Sequence, residues 1–535
     1  MSGGADSGAE RSVGALLAAP DPVAAMKAMR AARRRRYVAR ADVMEVLYRV
    51  YLGGLVTIFA IYLLAGALHE VPADPGSVDG IRAHAPAVIG LVVALLVLAG
   101  LRSGARGGPL AIEAAEVRYT LLAPVSRRTA LRPAALAQLR IAVIAGAVFG
   151  AVVGNFVFRR FRGSAVEWIG SLAAFGAVVP VAVLGAALLA CGRRLHIGVA
   201  SAIGVALVAW SALDLALGWN SSPATMLGDL ATLPLQHGAE AALAAVGAAL
   251  ALAVLAAGLL GIGGLRLEAA RRRAELVAEM RFSASVQDLR TVILLRRQLA
   301  SELPRRKPWI RLRVTSGNPV WRRDWQSYLR WPLVRIVRVV LIAVAAGGIA
   351  VAGFDLTPVL FALPGPLLFV AALDLIEPLA QESDHPTRRL LLPFTASDLI
   401  RRHLWAPVAA MALTLAIAAV TAAVASGNPG LALGVGIVVF IPLAAVLICA
   451  AAVSATNDPY EFVLTPQLAQ TVSLAPIVVA LVAGFLPLFV AWKVEGGNGA
   501  RVSGAIGIDI PLVILTLVGL GALTWRFNRR EAEAL

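Results

Sequence analysis

The sequence is poor in the residues and motifs that support most enzyme chemistry. Only three of its 49 basic residues are lysines, and none of Lys27, Lys307 and Lys493 follows a glycine-rich loop. The phosphate-binding pattern G-x-x-x-x-G-K-[ST] is missing, which excludes a P-loop for ATP. The patterns H-E-x-x-H and G-x-S-x-G do not occur either, and the six histidines are scattered along the chain. We therefore expect no enzyme activity, no cofactor and no metal site.

Cysteine is equally scarce. Cys191 and Cys449 are the only two, both at predicted helix ends, and their spacing fits no zinc site. A structural disulfide is not expected in a chain with most of its loops inside the cell. The residues up to about Tyr37 are polar, alanine-rich and basic, so the start of the sequence is not expected to be a cleavable signal peptide.

Apolar residues are present in excess. They make up 59% of the sequence, and the mean hydropathy is +0.78, whereas soluble proteins are about 45–50% apolar. The excess forms separate runs of about 17–25 residues, long enough to cross a ~30 Å hydrocarbon layer as helices. The sequence thus predicts an all-α, polytopic membrane protein with about twelve spans: 51–71, 86–102, 141–158, 168–191, 197–219, 239–265, 334–354, 356–378, 406–427, 431–455, 469–492 and 506–527.

Arginine clusters predict the orientation of these spans. Clusters precede the first span and follow the second, fourth, sixth, eighth and twelfth spans. Because Arg and Lys accumulate in cytoplasmic loops, both termini are expected in the cytoplasm, and the Ala-, Arg- and Gly-rich composition favours a bacterial plasma membrane. One loop breaks the pattern. Arg159, Arg160 and Arg162 follow the third span, either because they snorkel or because a boundary is misplaced.

The formal net charge of +17 also bears on possible partners. Nucleic-acid binding would need a basic soluble domain, and no segment is long enough to form one. The charge is better explained by inside loops that face the anionic lipids of the inner leaflet.

A repeated motif indicates an internal duplication. Residues 112–132 read IEAAEVRYTLLAPVSRRTALR, and residues 381–401 read QESDHPTRRLLLPFTASDLIR, 269 positions later. Each copy lies between the second and third spans of its half, which chance alone explains poorly. The matched pairs are Glu113 and Glu382, Leu121 and Leu390, Leu122 and Leu391, Pro124 and Pro393, Ser126 and Thr395, and Arg132 and Arg401. The predicted organisation is an N-terminal basic, interfacial segment (1–50), a six-helix half (51–265), a cytoplasmic linker (266–333) and a second six-helix half (334–535).

The chemistry of this motif predicts a short helix on the cytoplasmic surface. A proline starts a helix well because its missing N–H needs no partner there. Ser126 and Thr395 can accept a backbone N–H of the first turn, and Asp398 suits the positive end of that helix. The segment is then either a docking helix for a soluble partner or a plain turn between spans.

A second cytoplasmic element precedes the seventh span. Asn318 and Pro319 have the pattern of a helix start, and Trp321, Trp325 and Leu329 then share one face. The other faces carry Arg322, Arg323, Gln326 and Arg330. Tryptophan and arginine at this spacing favour a helix in the lipid headgroup layer, although an ordinary buried helix is the alternative.

Four acidic residues lie within or beside the apolar runs, where charge is costly. They are expected at interfacial depth near the span ends: Asp214, Asp374, Glu377 and Asp509.

With an interfacial helix, two spans, the loop LLAPVSRRTAL and four more spans, the first half resembles a type-2 ABC transporter permease. The second half, with NPVWRRDW and LLLPFTASDLIRRHLW, resembles another copy. The resemblance implies a coupling helix in each loop that docks on a separate ATPase subunit. In a fused pair of halves, one chain would bind two ATPase copies. The implied docking residues are Glu113, Pro124, Ser126, Arg127, Glu382, Pro393, Thr395 and Asp398.

Two other functions remain open at the level of sequence. A secondary transporter such as a major facilitator also has twelve spans and a basic central loop, but its second-to-third-span loop is short, with a Gly-rich Asp/Arg signature that residues 102–140 lack. A membrane scaffold without transport activity needs no signature at all.

Overall fold

The described residues form helices joined by turns, with no strand among them. A computed structural model describes residues 22–40, 75–110, 112, 125–159, 161, 164–236, 238–285, 295, 305–310, 319–355, 358–384, 394–456, 466–494 and 497–534. They divide into two compact units, unit 1 up to Ala278 and unit 2 from Glu279 onward. This boundary falls inside the predicted linker, residues 266–333.

The α-helices of unit 1 follow in this order: α1 Pro22–Arg40, α2 Pro75–Ala105, α3 Arg127–Val157, α4 Ala165–Gly192, α5 Ile197–Leu217, α6 Pro223–Ala231, α7 Ala239–Gly261 and α8 Leu267–Ser285, which runs across the unit boundary. Two 3-10 turns, Leu233–Leu235 and Ile262–Gly264, flank α7.

The α-helices of unit 2 follow in this order: α9 Pro319–Tyr328, α10 Leu333–Asp355, α11 Pro364–Leu375, α12 Glu377–Asp384, α13 Ala396–Ala425, α14 Pro429–Thr456, α15 Pro466–Lys493, α16 Asn498–Ile506 and α17 Asp509–Ala534. A 3-10 turn, Pro358–Ala362, joins α10 to α11.

Eleven segments in the described part of the chain are long and apolar enough to cross a membrane. They correspond one to one with the predicted second to twelfth spans, which confirms the polytopic helical fold. The predicted first span, residues 51–71, lies outside the described residues. With the eleven segments crossing in turn, Arg159 after α3 lies on the opposite side from Arg193 and Arg194 after α4.

The eighth span is the shortest and the least regular. Its α-helix, α11, has only 12 residues, about 18 Å at the usual rise. The 3-10 turn Pro358–Ala362 completes the 18-residue apolar segment. Pro364 and Pro366 fall in the first turn of α11, where their missing N–H groups leave no hydrogen bond unmade.

Several helix boundaries beyond the repeated motif recur at nearly the same offset, as the predicted duplication would produce. Helix α13 begins at residue 396, 269 positions after α3 begins at residue 127. Helix α15 begins at residue 466, again 269 positions after α5 at residue 197, and α17 begins 270 positions after α7. Nine-residue helices also occur at corresponding places: α6 precedes α7, and α16 precedes α17 within the apolar segment Asn498–Thr524. The two halves therefore share an order of helices even where their residues differ.

Corresponding helices also pack in the same pairs inside each unit. The third span packs on the fourth, as α3 on α4 and as α13 on α14. The fourth packs on the sixth, and the second packs on the fifth, in both units. The two halves are thus repeats in packing as well as in order.

Helices α3 and α4 approach each other to backbone contact. Gly146, Gly150 and Gly154 follow one another at four-residue intervals and face α4. A Cβ added at Gly146 would lie 2.0 Å from the carbonyl oxygen of Gly176, and one at Gly150 would lie 2.0 Å from that of Leu172. Small residues at this spacing let two membrane helices approach to backbone contact.

The short helix α6 is buried against α2 and α7. Ser222 caps it by accepting from the backbone N–H of Thr225 at 3.1 Å, and Pro223 is its first residue. A Cβ at Gly228 would lie 2.0 Å from the carbonyl oxygen of Pro86 on α2. Glycine is therefore required at this crossing.

Candidate functional site

The two copies of the repeated motif end in equivalent helix caps. The Ser126 hydroxyl accepts from the backbone N–H of Thr129 at 3.3 Å and starts α3. The Thr395 hydroxyl accepts from the backbone N–H of Asp398 at 3.3 Å and starts α13. Both caps are exposed. The sequence prediction that these two side chains cap helices is confirmed.

The prediction of a separate short helix after each cap is wrong. Residues 127–157 form one continuous helix, and residues 396–425 form another, each including a membrane span. Arg127 and Asp398 therefore belong to the first turns of span helices. The reason is that no glycine interrupts residues 127–145 or 396–425, and Pro133 and Pro407 are accommodated within the helices. Glu113, Pro124 and Pro393 lie outside the described residues.

Glu382 is held inside unit 2. Its side chain is only 3% exposed and forms an ion pair with Arg323 of α9. The carboxylate is therefore directed at a neighbouring helix in this structure, although sequence reasoning had placed it among the residues that face a partner. The pairing joins residues 59 positions apart, which the sequence pattern does not reveal.

The buried face of α9 differs from the predicted aromatic face. Val320, Asp324 and Tyr328 are buried, whereas Trp321 is 38% exposed and Trp325 is half-buried. Arg322 and Arg330 are exposed. Because residues four apart share a helix face, the buried face contains an acid that must find a partner. The location of α9 in the lipid headgroup layer stays a prediction.

The partner of Asp324 is His403 on α13. The imidazole Nδ1 lies 2.9 Å from one carboxylate oxygen of Asp324 and 3.0 Å from the other, and both side chains are 1% exposed. Burial raises the pKa of the Asp324 carboxyl, and the hydrogen bond and positive charge of His403 partly oppose this. The pair ties α9 to the first turns of α13.

The C-terminal end of α11 is surrounded by side chains from α9 and α10. Tyr328 donates to the carbonyl of Leu375 at 2.7 Å, and Arg335 donates to the carbonyl of Asp374 at 2.5 Å. The last carbonyls of a helix have no partner inside it, so these side chains satisfy them. Burial raises the pKa of the Tyr328 hydroxyl well above its ordinary value, so it is a neutral donor.

Two arginines of α10 also pair with the acids at this end. Arg338 contacts Asp374 through Nε at 2.9 Å and Nη2 at 2.7 Å, and the Asp374 side chain is fully buried. Arg335 pairs with Glu377, which begins α12. Asp374 and Glu377, for which interfacial depth stays a prediction, thus both form ion pairs inside unit 2. We call these contacts, together with Asp324–His403 and Arg323–Glu382, the ion-pair cluster.

The ion-pair cluster joins five helices. It connects α13 to α9, and it connects α9 and α10 to α11 and α12. Helix α12 ends at residue 384, inside the repeated motif 381–401. A buried charge pair is costly to break because each partner would be left unsolvated. These pairs therefore hold α9 and α10 against α11 and α12.

Unit 1 has its own buried polar cluster, where α5 meets α6. Asp214 is fully buried and accepts from the hydroxyls of Ser221 and Thr225 at 2.7 and 2.8 Å, and from the backbone N–H of Ser222 at 2.8 Å. These bonds satisfy a carboxylate that was expected at interfacial depth. They hold α6 in place and show a structural role for Asp214.

Asp229 lies on α6 and accepts from the Asn220 side chain at 2.5 Å. Burial raises the pKa of Asp229 from 3.8 to about 6, an effect that Asn220 opposes and the negative charge of Glu240 reinforces. The folded state therefore binds a proton more tightly than the unfolded chain does.

Stability is expected to fall as the pH rises from about 4 to above 6. Below pH 3.8 Asp229 is protonated in both states, and its contribution is lost as the pH passes the folded-state pKa of about 6. The change corresponds to about 3 kcal/mol in the free energy of unfolding. Melting curves at several pH values would measure it, and Asp229→Asn should remove this dependence. An unchanged pH profile in Asp229→Asn would contradict the assignment.

Cys191 and Cys449 are buried, unpaired thiols. No group of three or more His, Cys, Asp or Glu side chains lies close enough to hold a metal among the described residues.

Comparisons with known proteins do not assign the chain to a family: no protein-family model matches it, and no curated protein matches it. The structure shows two equivalent helix starts with exposed caps, Ser126 on α3 and Thr395 on α13. The ion-pair cluster connects α13 to α9 and, through α9, to α11 and α12.

Proposed function

We propose that the chain is the permease subunit of an ATP-binding-cassette exporter in a bacterial plasma membrane, with both termini cytoplasmic. The observation that carries this proposal is the pair of capped helix starts, Ser126–Arg127 and Thr395–Ala396, each at the beginning of the helix that contains the third predicted span of its half. ATP hydrolysis would take place in a separate subunit, bound once by each half.

The charge and exposure around these starts support a docking role. Ser126, Arg127 and Thr395 are exposed, and the Asp398 side chain is 44% exposed while it pairs with Arg402 at 3.0 Å. Helix N-termini have free N–H groups that attract polar side chains of a partner, and the exposed carboxylate of Asp398 can pair with a basic side chain of the partner. Two such sites in one chain fit an ATPase that works as a pair.

The ion-pair cluster supplies a route from docking to the membrane helices. Glu382 and Arg323 connect α12 to α9, and Arg335 and Glu377 connect α12 to α10. In the proposed mechanism, ATPase movement displaces the segment between α12 and α13, and these pairs carry the displacement to α10. Glu382 then positions α12 rather than touching the ATPase.

The first test is co-purification from native membranes. A tagged chain is expected to bring down a P-loop ATPase. Asp398→Arg should weaken binding at the second-half site by about tenfold or more, because charge reversal at an interface costs several kcal/mol. The amount of ATPase recovered should then fall toward half, since the first-half site is intact. Glu275→Arg on α8 is the matched control, since Glu275 is also exposed and also pairs within its own helix, with Arg271 at 3.0 Å.

Transport measurements separate this proposal from ion-coupled transport. Uptake into vesicles should stop when ATP is depleted and should resist an ionophore. Transport by the purified chain alone, driven by an ion gradient, would show that the proposal is wrong and would favour a secondary transporter.

A further inference from the structure

Unit 2 encloses a cavity of about 430 Å³, within the range typical of small-molecule sites. Its walls come from five helices, α10, α11, α13, α14 and α15, and α16 contributes one residue. Most of the lining is Ala, Gly, Val, Leu and Phe. A water-filled space with such walls is unfavourable, because water needs polar partners that these walls do not provide.

The cavity is elongated along the helix axes. Its lining on α14 runs from Leu431 to Leu443, which is about 18 Å at 1.5 Å per residue. On α10 it runs from Ala346 to Asp355, about 14 Å. This shape suits an extended hydrocarbon chain better than a compact polar solute.

Polar groups are concentrated at one end of the cavity. Asp355, Ser426, Asn428 and Arg501 line that end, where α10 and α13 finish and α14 and α16 begin. Asn428 and Asn498 exchange two hydrogen bonds of 2.9 Å between their side chains and hold α16 beside α14. The cavity therefore has an apolar body and a polar end, as an amphiphile does.

Two of these polar groups have buried atoms without a hydrogen-bond partner in the described part of the chain. They are the Nε of Arg501 and the hydroxyl of Ser426. Arg501 also belongs to the apolar segment Asn498–Thr524, and a charged residue in such a segment is costly unless something pairs with it. Both groups can donate a hydrogen bond, so an anionic acceptor would satisfy them together.

We propose that this cavity binds an amphiphile with a single hydrocarbon chain and an anionic headgroup, a carboxylate or a phosphate. The chain lies along α10 and α14, and the headgroup accepts from Arg501 and Ser426. The site is formed by unit 2 alone, so it does not rest on the proposed function.

Photo-crosslinking of the full chain in phosphatidylcholine nanodiscs tests the site. The probe is a twelve-carbon carboxylate with a diazirine in its chain. The uncharged twelve-carbon alcohol with the same diazirine is the control for the headgroup charge. The carboxylate is expected to label peptides from 346–355 and 431–443, and excess laurate should abolish the labelling. Labelling confined to other, lipid-facing peptides would overturn the proposal.

Variants at both ends of the cavity sharpen the test. Ala350→Phe fills the body and should abolish competable labelling, whereas Ala345→Phe, at an exposed position on the same helix, should leave it unchanged. Arg501→Gln should weaken carboxylate binding about tenfold or more and bring it to the level of the alcohol. Arg501→Lys keeps the charge and should retain part of the preference.

Two results would contradict the proposal. If the carboxylate and the alcohol label the native protein equally, the cavity accepts lipid chains whatever their headgroup, and the headgroup assignment is wrong. Labelling that survives Ala350→Phe, in protein that melts at the native temperature, means that the probe binds elsewhere and also overturns the proposal.

Discussion

Replacing Arg338 by alanine is expected to lower the free energy of unfolding by about 3–5 kcal/mol. Asp374 is fully buried and receives two hydrogen bonds from Arg338. Without that partner, its carboxylate stays enclosed at the negative end of α11, where the helix dipole also opposes it. Thermal melting of detergent-solubilised protein, followed by size-exclusion recovery, would measure the loss.

Two further variants separate charge pairing from general disturbance. Arg272→Ala, at an exposed position of α8, should change stability by no more than about 0.5 kcal/mol. The double variant Arg338→Met with Asp374→Leu removes both charges and should recover most of the loss. If Arg338→Ala melts like Arg272→Ala, the pair does not stabilise α11 against α10.

Substitution of Gly150 by leucine is expected to separate α3 from α4 and to cost about 3 kcal/mol or more. The added Cβ would lie 2.0 Å from a backbone carbonyl oxygen of α4, and backbone cannot rotate away as a side chain can. Gly146 and Gly154 flank it in the same line, so the clash cannot be relieved by a small shift along the helix. The expected result is a loss of folded protein during solubilisation, measured by the monodisperse fraction.

Gly170 on α4 is the matched control for this substitution. It is helical and exposed, and nothing lies within 4 Å of an added Cβ. Gly170→Leu should be neutral or slightly stabilising, since leucine favours helix more than glycine does. Similar losses at Gly150 and Gly170 would mean that backbone approach between α3 and α4 is unimportant.

The membrane helices were the most predictable part of the fold. Hydrophobic length alone fixes where a chain can cross a bilayer, because backbone groups in lipid must bond within the helix. The caps at Ser126 and Thr395 were predictable too, since an N-cap bond is local. A local signal was overlooked at the start of α4, where Ser164 and Glu167 form a capping box.

The contacts of the candidate site were not predictable from sequence patterns. Arg338 and Asp374 are 36 positions apart, and Asp324 and His403 are 79 apart. Both pairs depend on how the span helices pack. Arg335 and Arg338 did carry a usable signal, because two arginines inside an apolar run need acidic partners near the same depth. The aromatic pattern of α9 gave no sign that Asp324 lies on the buried face.

The two nine-residue helices differ in a way that bears on the history of the chain. Helix α6 has six buried residues and is held by the hydrogen bonds to Asp214. In α16 only Ala505 is buried, and Arg501 of this helix lines the cavity. After a duplication, one copy can preserve the ancestral rigidity while the other accumulates change. Because both halves are parts of one polypeptide, they are always made in equal number, and each first half is joined to a second half. The two halves can therefore diverge in function without two identical halves pairing with each other.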